Sequence, residues 1–154
     1  MIIVTDTREQ QPLQFSDQCK VITGTLTTAD YSLRGLETLV AVERKSLSDF
    51  LGCLAGEGRQ RFKRELHRLK SYRYKLLVVE TDLQTILDGN YRSKIHVNAV
   101  IGSMMSFTSR YGLPVILAGC HDNAAVIVES YFRNVLKQLS EFNQTIQSNL
   151  QENS

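Results

Sequence analysis

Apolar positions change their period along this chain, and each change predicts a different element. Ile2-Ile3-Val4 is a short β-branched run that polar residues follow at once, which predicts a first strand ending near Asp6. Gln10 to Phe15, with Pro12 inside it, predicts a loop, and Cys19 to Leu26 predicts a second strand with Gly24 as a bulge. Tyr31 to Leu33 and Leu39 to Lys45 form two arms joined through Gly35, the pattern of a hairpin. From Ser46 the period turns helical. A short helix is expected through Leu54, then an interruption at Ala55-Gly56-Glu57-Gly58. A second helix follows from Arg59 to Tyr72, with Phe62, Leu66 and Leu69 on its apolar stripe.

Leu76-Leu77-Val78-Val79 is a continuous apolar run, as a strand buried on both faces requires. Val97 to Tyr111 predicts a helix and Leu113 to Leu117 another buried strand. A last long helix, capped by Asp122 or Asn123, carries Val128, Tyr131, Val135 and Leu139 on its apolar face. Strands first, then helices alternating with strands, predict an α/β fold: a mixed central sheet flanked by helices in a single domain. That domain is expected over 1–142, with the polar stretch 143–154 as a disordered tail.

Composition narrows the class. The 154 residues fit one domain, since domains usually run about 100–200 residues. No apolar run approaches the ~20 residues that cross a bilayer, and Met1 leads straight into Ile2 without the grammar of a signal peptide. Cys19, Cys53 and Cys120 lie far apart with no C-x-x-C spacing, and His67, His96 and His121 are equally scattered. Reduced thiols, no zinc site and an intracellular setting (cytoplasm or nucleoid, or the nucleus of a eukaryotic host) are therefore expected. The net charge of +2 says little about partners, but its distribution says more. Arg59, Arg61, Lys63, Arg64, Arg68, Lys70, Arg73 and Lys75 cluster with Glu65 as the only acid among them. A charged outer helix face is often merely solvated; so lopsided a run favours contact with phosphates, chiefly through Arg59, Arg61, Lys63, Arg64 and Arg68. The glycine-containing turn before Arg59 could also offer backbone N–H groups to a phosphate.

The candidate chemistry sits at Leu39-Val40-Ala41-Val42-Glu43-Arg44-Lys45. Side chains alternate along a strand, so Glu43 and Lys45 share one face and Arg44 takes the other. The bland alternative is a surface ion pair at a strand end, which contributes almost nothing to stability. The hairpin changes the balance. With Gly35 to Thr38 as its loop, Tyr31 pairs with Val42 and Asp30 falls opposite Glu43. Directly opposed side chains lie about 4.5–5.5 Å apart at Cβ, where like charges repel. A divalent cation would turn that repulsion into attraction, because Mg²⁺ favours oxygen ligands from one or two carboxylates plus phosphate. Asp6-Thr7-Arg8-Glu9 adds a third acid at the end of the first strand; a simple turn explains it equally well. Asp49 has a local role as partner of Ser46 in a capping box, and the helix it caps begins directly after Lys45.

These segments resemble a known family. Val42-Glu43-Arg44-Lys45-Ser46-Leu47-Ser48-Asp49 matches the E-R-K-x-x-x-D signature of XPF-type (ERCC4-domain) structure-specific endonucleases. Val4 to Glu9 is similar to that family's first strand and D-x-R-E. Thr28-Ala29-Asp30-Tyr31 is similar to its G-D-Y segment, with Ala29 where glycine is usual. Leu51 to Arg61 is similar to the segment after the signature. The resemblance is specific over about Ile2 to Thr81 and continues by element order beyond. It implies a restriction-endonuclease-like fold, Mg²⁺ or Mn²⁺, and endonucleolytic cutting of branched or flapped DNA near a duplex–single-strand junction. By residue, it implies that Asp30 and Glu43 bind the metal with Asp6 nearby. Lys45 would orient the attacking water or stabilise charge on the phosphate, supported by Arg8, Glu9, Arg44 and Asp49. Non-catalytic members have typically lost these acids and the lysine; this chain keeps them, so activity is expected. Nothing after the nuclease segment resembles the family's paired helix-hairpin-helix region. A separate DNA-binding partner protein and a homodimer through the C-terminal helices are the expected substitutes. The reading from another class is a non-catalytic DNA-binding or dimerisation module of a larger nuclease complex; a third keeps the fold but changes the substrate to plain duplex or a four-way junction.

Overall fold

A computed structural model describes residues 1–151 of the chain. The elements are β1 (Ile2–Asp6), β2 (Lys20–Gly24), β3 (Tyr31–Leu33), β4 (Val40–Ser46), α1 (Leu47–Gly52), α2 (Gly56–Leu69), β5 (Tyr74–Glu80), α3 (Leu83–Leu87), α4 (Val97–Tyr111), β6 (Val115–Leu117) and α5 (His121–Gln151). The strands form one six-stranded sheet in the order β2-β1-β3-β4-β5-β6. β3 runs antiparallel to both of its neighbours, whereas β1–β2, β4–β5 and β5–β6 are parallel pairs. The mixed sheet follows from a short return through Gly35 on one side and helical crossovers on the other, since parallel neighbours need a long connection.

The central strands β4 and β5 are apolar on both faces because helices cover both. On one face Ala41, Leu77 and Val79 meet Phe50 of α1, Phe62, Leu66 and Leu69 of α2, and Val100, Met104 and Phe107 of α4. On the other, Val40, Val42, Leu76 and Val78 meet Ala124, Ala125, Val128, Phe132 and Val135 of α5. The period-2 alternation of β4 thus decides which of its last residues faces which layer. Glu43 and Lys45 follow Ala41 toward α1 and α2; Arg44 follows Val42 toward α5. Among the described residues no helix is long and apolar enough to cross a membrane.

Several expectations shift. β2 is shorter than Cys19 to Leu26, and Gly24 is no bulge, since it pairs with Asp6 in an unbroken register. α2 begins at Gly56 rather than Arg59, so the glycines that looked like an interruption open the helix. Gly56 takes a left-handed φ of +54°, whereas the reason for Gly58 is packing: a Cβ there would lie 2.0 Å from the Gly52 carbonyl oxygen at the end of α1. α3 had no place in the expected order; Asp82 caps it by accepting from the Thr85 N–H at 2.7 Å. α5 begins at His121, ahead of the expected caps.

The expected tail needs the largest correction. Residues 143–151 continue α5, with Thr145 and Ser148 hydroxyls donating to the carbonyls of Glu141 and Gln144 one turn back; 152–154 lie outside the described residues. Low hydrophobicity argued for disorder, but no Gly or Pro interrupts the chain after Gly119, so nothing in the backbone ends the helix.

The Gly52–Gly58 contact predicts an asymmetric pair of substitutions. Gly58→Ala forces backbone apart and should destabilise the fold by about 1–3 kcal/mol in denaturant unfolding. Gly52→Ala, whose Cβ would meet nothing within 4 Å, should leave stability nearly unchanged.

Candidate active site

The site begins with a backbone turn. Ala29 adopts φ +66°, a left-handed conformation that suits glycine and strains a residue with a Cβ. This turn delivers Asp30 into β3's register. The Asp30 N–H donates to the Val42 carbonyl at 3.0 Å, the Asp6 N–H donates to the Asp30 carbonyl at 2.8 Å, and Tyr31 pairs with Val42. Asp30 therefore stands opposite Glu43, on the face covered by α1 and α2. Its carboxylate accepts the Arg44 backbone N–H at 2.8 Å. Glu43 is 5% exposed and accepts from the Lys45 ammonium at 2.6 Å, and that ammonium also lies 4.8 Å from the centroid of Phe62 on α2.

The electrostatics of this face are strained. Burial, reinforced by the Glu43 charge, pushes Asp30 up to about 8 despite the Arg44 N–H. Burial also raises Glu43; Lys45 pulls it down, but the neighbouring Glu65 pushes it up again, and it stays above the ordinary range. Burial would depress Lys45, yet the Glu43 carboxylate more than offsets this and keeps the ammonium charged.

Asp6 and Arg8 sit beside this pair as a unit of their own. Asp6 is buried and accepts from the Arg8 guanidinium at 2.6 and 3.1 Å, the Arg8 N–H at 2.9 Å and the Leu26 N–H at 2.6 Å. Burial opposes its ionisation, but these donors hold it below the usual carboxylate range. Before Asp6 could serve as a ligand, Arg8 would have to release it.

Glu9 and Arg44 meet on the opposite face of the sheet. Arg44 holds both oxygens of Glu9 at 2.9 and 3.0 Å and reaches Glu80, the last residue of β5, at 2.9 Å. His121, at the start of α5, shares that Glu80 oxygen at 2.6 Å. The network ties the ends of β1, β4 and β5 to α5; it meets the acids through the Arg44 backbone N–H on Asp30, and the Glu9 charge adds to the rise of Asp30. Glu80 and His121 had no signal in the chain, because their partner became visible only once β4 and β5 were aligned in parallel. Asp49 is exposed and paired with Ser46, whose hydroxyl donates to it at 2.7 Å and caps α1.

Arg59, Arg61, Lys63, Arg64 and Arg68 are all exposed along α2, while Phe62, Leu66 and Leu69 anchor the helix. Arg68 donates to Thr28 at 3.4 Å, just before the Ala29 turn. Arg59 and Lys63 line a groove against Ser103 and Arg110 of α4. Glu65 lies between two contacts of α2 with the site: Phe62 under Lys45, and Arg68 at Thr28. Its charge accordingly acts on Glu43. In the sequence it stood out only as the single acid in a basic run.

No group of three or more His, Cys, Asp or Glu side chains converges tightly enough to cage an ion among the described residues. The donor set nevertheless fits a hard divalent cation. Buried Glu43 and half-buried Asp30, both raised above the ordinary carboxylate range, would be relieved by one, and Mg²⁺ typically takes one or two protein carboxylates and leaves its other positions to water and phosphate.

The sequence matches the ERCC4 domain family over residues 5–131, a span that contains every one of these side chains. The chain belongs to the ERCC4 domain family. That is a nuclease family, and the fold agrees with it. The structure is similar to XPF from Aeropyrum pernix (TM-score 0.68, 22% identity, 88% of this chain and 61% of that one). It is equally similar to XPF from Aeropyrum pernix in complex with DNA (TM-score 0.67, 23% identity, 89% of this chain and 66% of that one). These likenesses establish the restriction-endonuclease-like architecture. The chain spans 61% and 66% of the lengths of those XPF chains. No curated protein matches it by sequence.

The raised Asp30 predicts an inverted pH dependence for an ERCC4 domain freed of metal. The fold holds a proton that an unfolded aspartate releases, so this contribution is complete below about pH 4 and is lost as pH rises through about pH 8. Asp30→Asn keeps an acceptor for the Arg44 N–H and removes the charge. It should melt a few degrees higher than the parent chain near pH 8 in EDTA and differ little near pH 4 (roughly 2–4 °C per kcal/mol at this size). Equal melting at both pH values would show that Asp30 is not strained.

Proposed function

We propose that this ERCC4 domain is a divalent-metal-dependent endonuclease that hydrolyses phosphodiester bonds in branched or flapped DNA near duplex–single-strand junctions. The observation that carries the reading is the shared face of Asp30, Glu43 and Lys45, with the Lys45 ammonium 2.6 Å from Glu43. Asp30 and Glu43 would hold Mg²⁺ or Mn²⁺, and Asp6 would stand next to them. A bound divalent ion supplies a lowered water pKa and neutralises charge on the phosphate. Lys45, kept protonated by Glu43, is suited to stabilise the negative charge that develops on the phosphoryl oxygens. Arg44 and Glu9 act from the other face, fixing the strand ends that carry the acids, and Asp49 fixes the start of α1. Arg59, Arg61, Lys63, Arg64 and Arg68 would track the DNA backbone, and the DNA-bound XPF with this fold supports DNA as the ligand.

Association with a second copy is supported by apolar side chains left exposed on β6 and α5, with Ile116 at 38% and Val126 at 68%. A separate protein carrying a DNA-binding module would complete substrate choice.

The deciding assay offers labelled flaps, forks, four-way junctions and plain duplex with Mn²⁺ or with EDTA. Cutting of flaps or forks should require the metal, and Asp30→Asn or Glu43→Gln should reduce it by about a thousandfold or more while DNA binding persists. Plain duplex cut as fast as flaps would remove the structure specificity. Binding without cutting under every condition would leave the non-catalytic DNA-binding module in its place.

A further inference from the structure

Beside the acid face lies a second concavity that no step above uses. A groove of about 930 Å³ separates α1 and its turn into α2 from the segment 91–95. Its floor is apolar and partly aromatic, made by Leu47, Leu51, Tyr91 and Ile95. The Tyr91 ring is fixed, because its hydroxyl donates to the Ile95 carbonyl at 3.0 Å. The opposite wall is held open by Gly52 and Gly56, where an added Cβ would meet nothing within 4 Å.

The rim has the opposite character. Arg92 and Lys94 border the groove, both exposed; among the described residues no acidic side chain lines it, and the nearest acid on α2 is Glu57, exposed in its first turn. The start of α2 opens on the same space. Ala55 in the N-cap position makes no side-chain capping bond, which leaves first-turn N–H groups of a 14-residue helix without a side-chain acceptor. Uncapped N–H groups at the positive end of a helix favour an anion.

An apolar, aromatic floor beside a cationic rim matches a single nucleotide, with a flat base on one side and a phosphate on the other. A base in duplex is stacked and paired, and cannot enter a pocket. Leu47 and Ser48 follow Lys45 by two and three residues, so the groove starts where the acid face ends. We infer that it holds an unpaired nucleotide of the DNA strand running through the active site, its base against Leu47, Leu51 and Tyr91 and its phosphate at Arg92, Lys94 and the start of α2. The inference rests on the nuclease reading for the strand's identity and deepens it: the single-stranded arm of a branched substrate would leave along α1.

Two variants of the full chain test this without touching the acids. Ser48→Trp, at an exposed position of α1 on the groove wall, fills the space and leaves every charge in place. Arg92→Ala/Lys94→Ala removes the rim and leaves the space open. The affinities of a labelled oligothymidylate and of a plain duplex are measured by fluorescence anisotropy in EDTA. Cutting plays no part there, so an inactive protein can still pass and an active nuclease can still fail. Each variant should weaken oligothymidylate binding by about tenfold and change duplex binding by less than about twofold. Single-strand binding unchanged by Ser48→Trp, as when the groove takes an apolar peptide instead, would overturn the inference. So would an equal loss on both DNAs, which reports only the removal of general positive charge.

Discussion

Two carboxylates are forced to face each other by strand pairing, and much of this molecule is arranged to tolerate that. The register Tyr31–Val42 leaves Asp30 and Glu43 no choice of face. Lost hydration disfavours the ionised form of each, and the Glu43 charge pushes Asp30 up further while Glu65 does the same to Glu43. The chain supplies partial relief only. One backbone N–H reaches Asp30 and one ammonium reaches Glu43, while Glu9 works against the first and Glu65 against the second. A protein selected only for stability would have apolar side chains here, since burying ionisable groups rarely stabilises. The strained left-handed Ala29 beside them follows the same pattern, because strain retained at one spot marks a function.

The rest of the architecture keeps that face rigid. Arg44 sits between Glu43 and Lys45 in the chain but points to the other layer, where it clamps Glu9 and Glu80 in a largely buried network. Removing one partner of such a network would leave a buried charge unpaired, so its members hold one another in place. Their geometric effect is to fix the ends of β1, β4 and β5 together, which are the ends that carry Asp6, Glu43 and Lys45. Alternation along one strand thus places Glu43 and Lys45 on one side of the sheet and the Arg44 network that braces their strand on the other.

Where local pattern governs, the chain was legible. The apolar runs of β4 and β5, the alternation that separates Glu43 and Lys45 from Arg44, the Tyr31–Val42 pairing and the Ser46–Asp49 cap all follow from spacing. What escaped depends on contacts between distant segments or on weak local signals. Glu65 is one polar residue among many on α2, and only the approach of Phe62 to Lys45 and of Arg68 to Thr28 turns it toward the acids. Glu80 and His121 meet Arg44 through strand order. Gly58 looked like a break because its close approach to Gly52 cannot be seen from either residue alone. α3 is too short to show a period, and for residues 143–151 composition was weighed where the absence of Gly and Pro mattered more. The resemblance in the first half of the chain survived all of this because its motifs lie in the strands whose pairing was local.

The central claim is that buried, partly protonated carboxylates await a divalent cation. Counting the protons released when the metal-free chain binds Mn²⁺ tests it most directly, by titration calorimetry near neutral pH in buffers of different ionisation enthalpy. Release of about one proton or more per ion, abolished in Asp30→Asn, is the predicted result, because metal binding must expel what the fold retained. Tight binding with no proton released would mean that Asp30 and Glu43 are already ionised, and no binding at all would mean that they hold no metal; either contradicts the account.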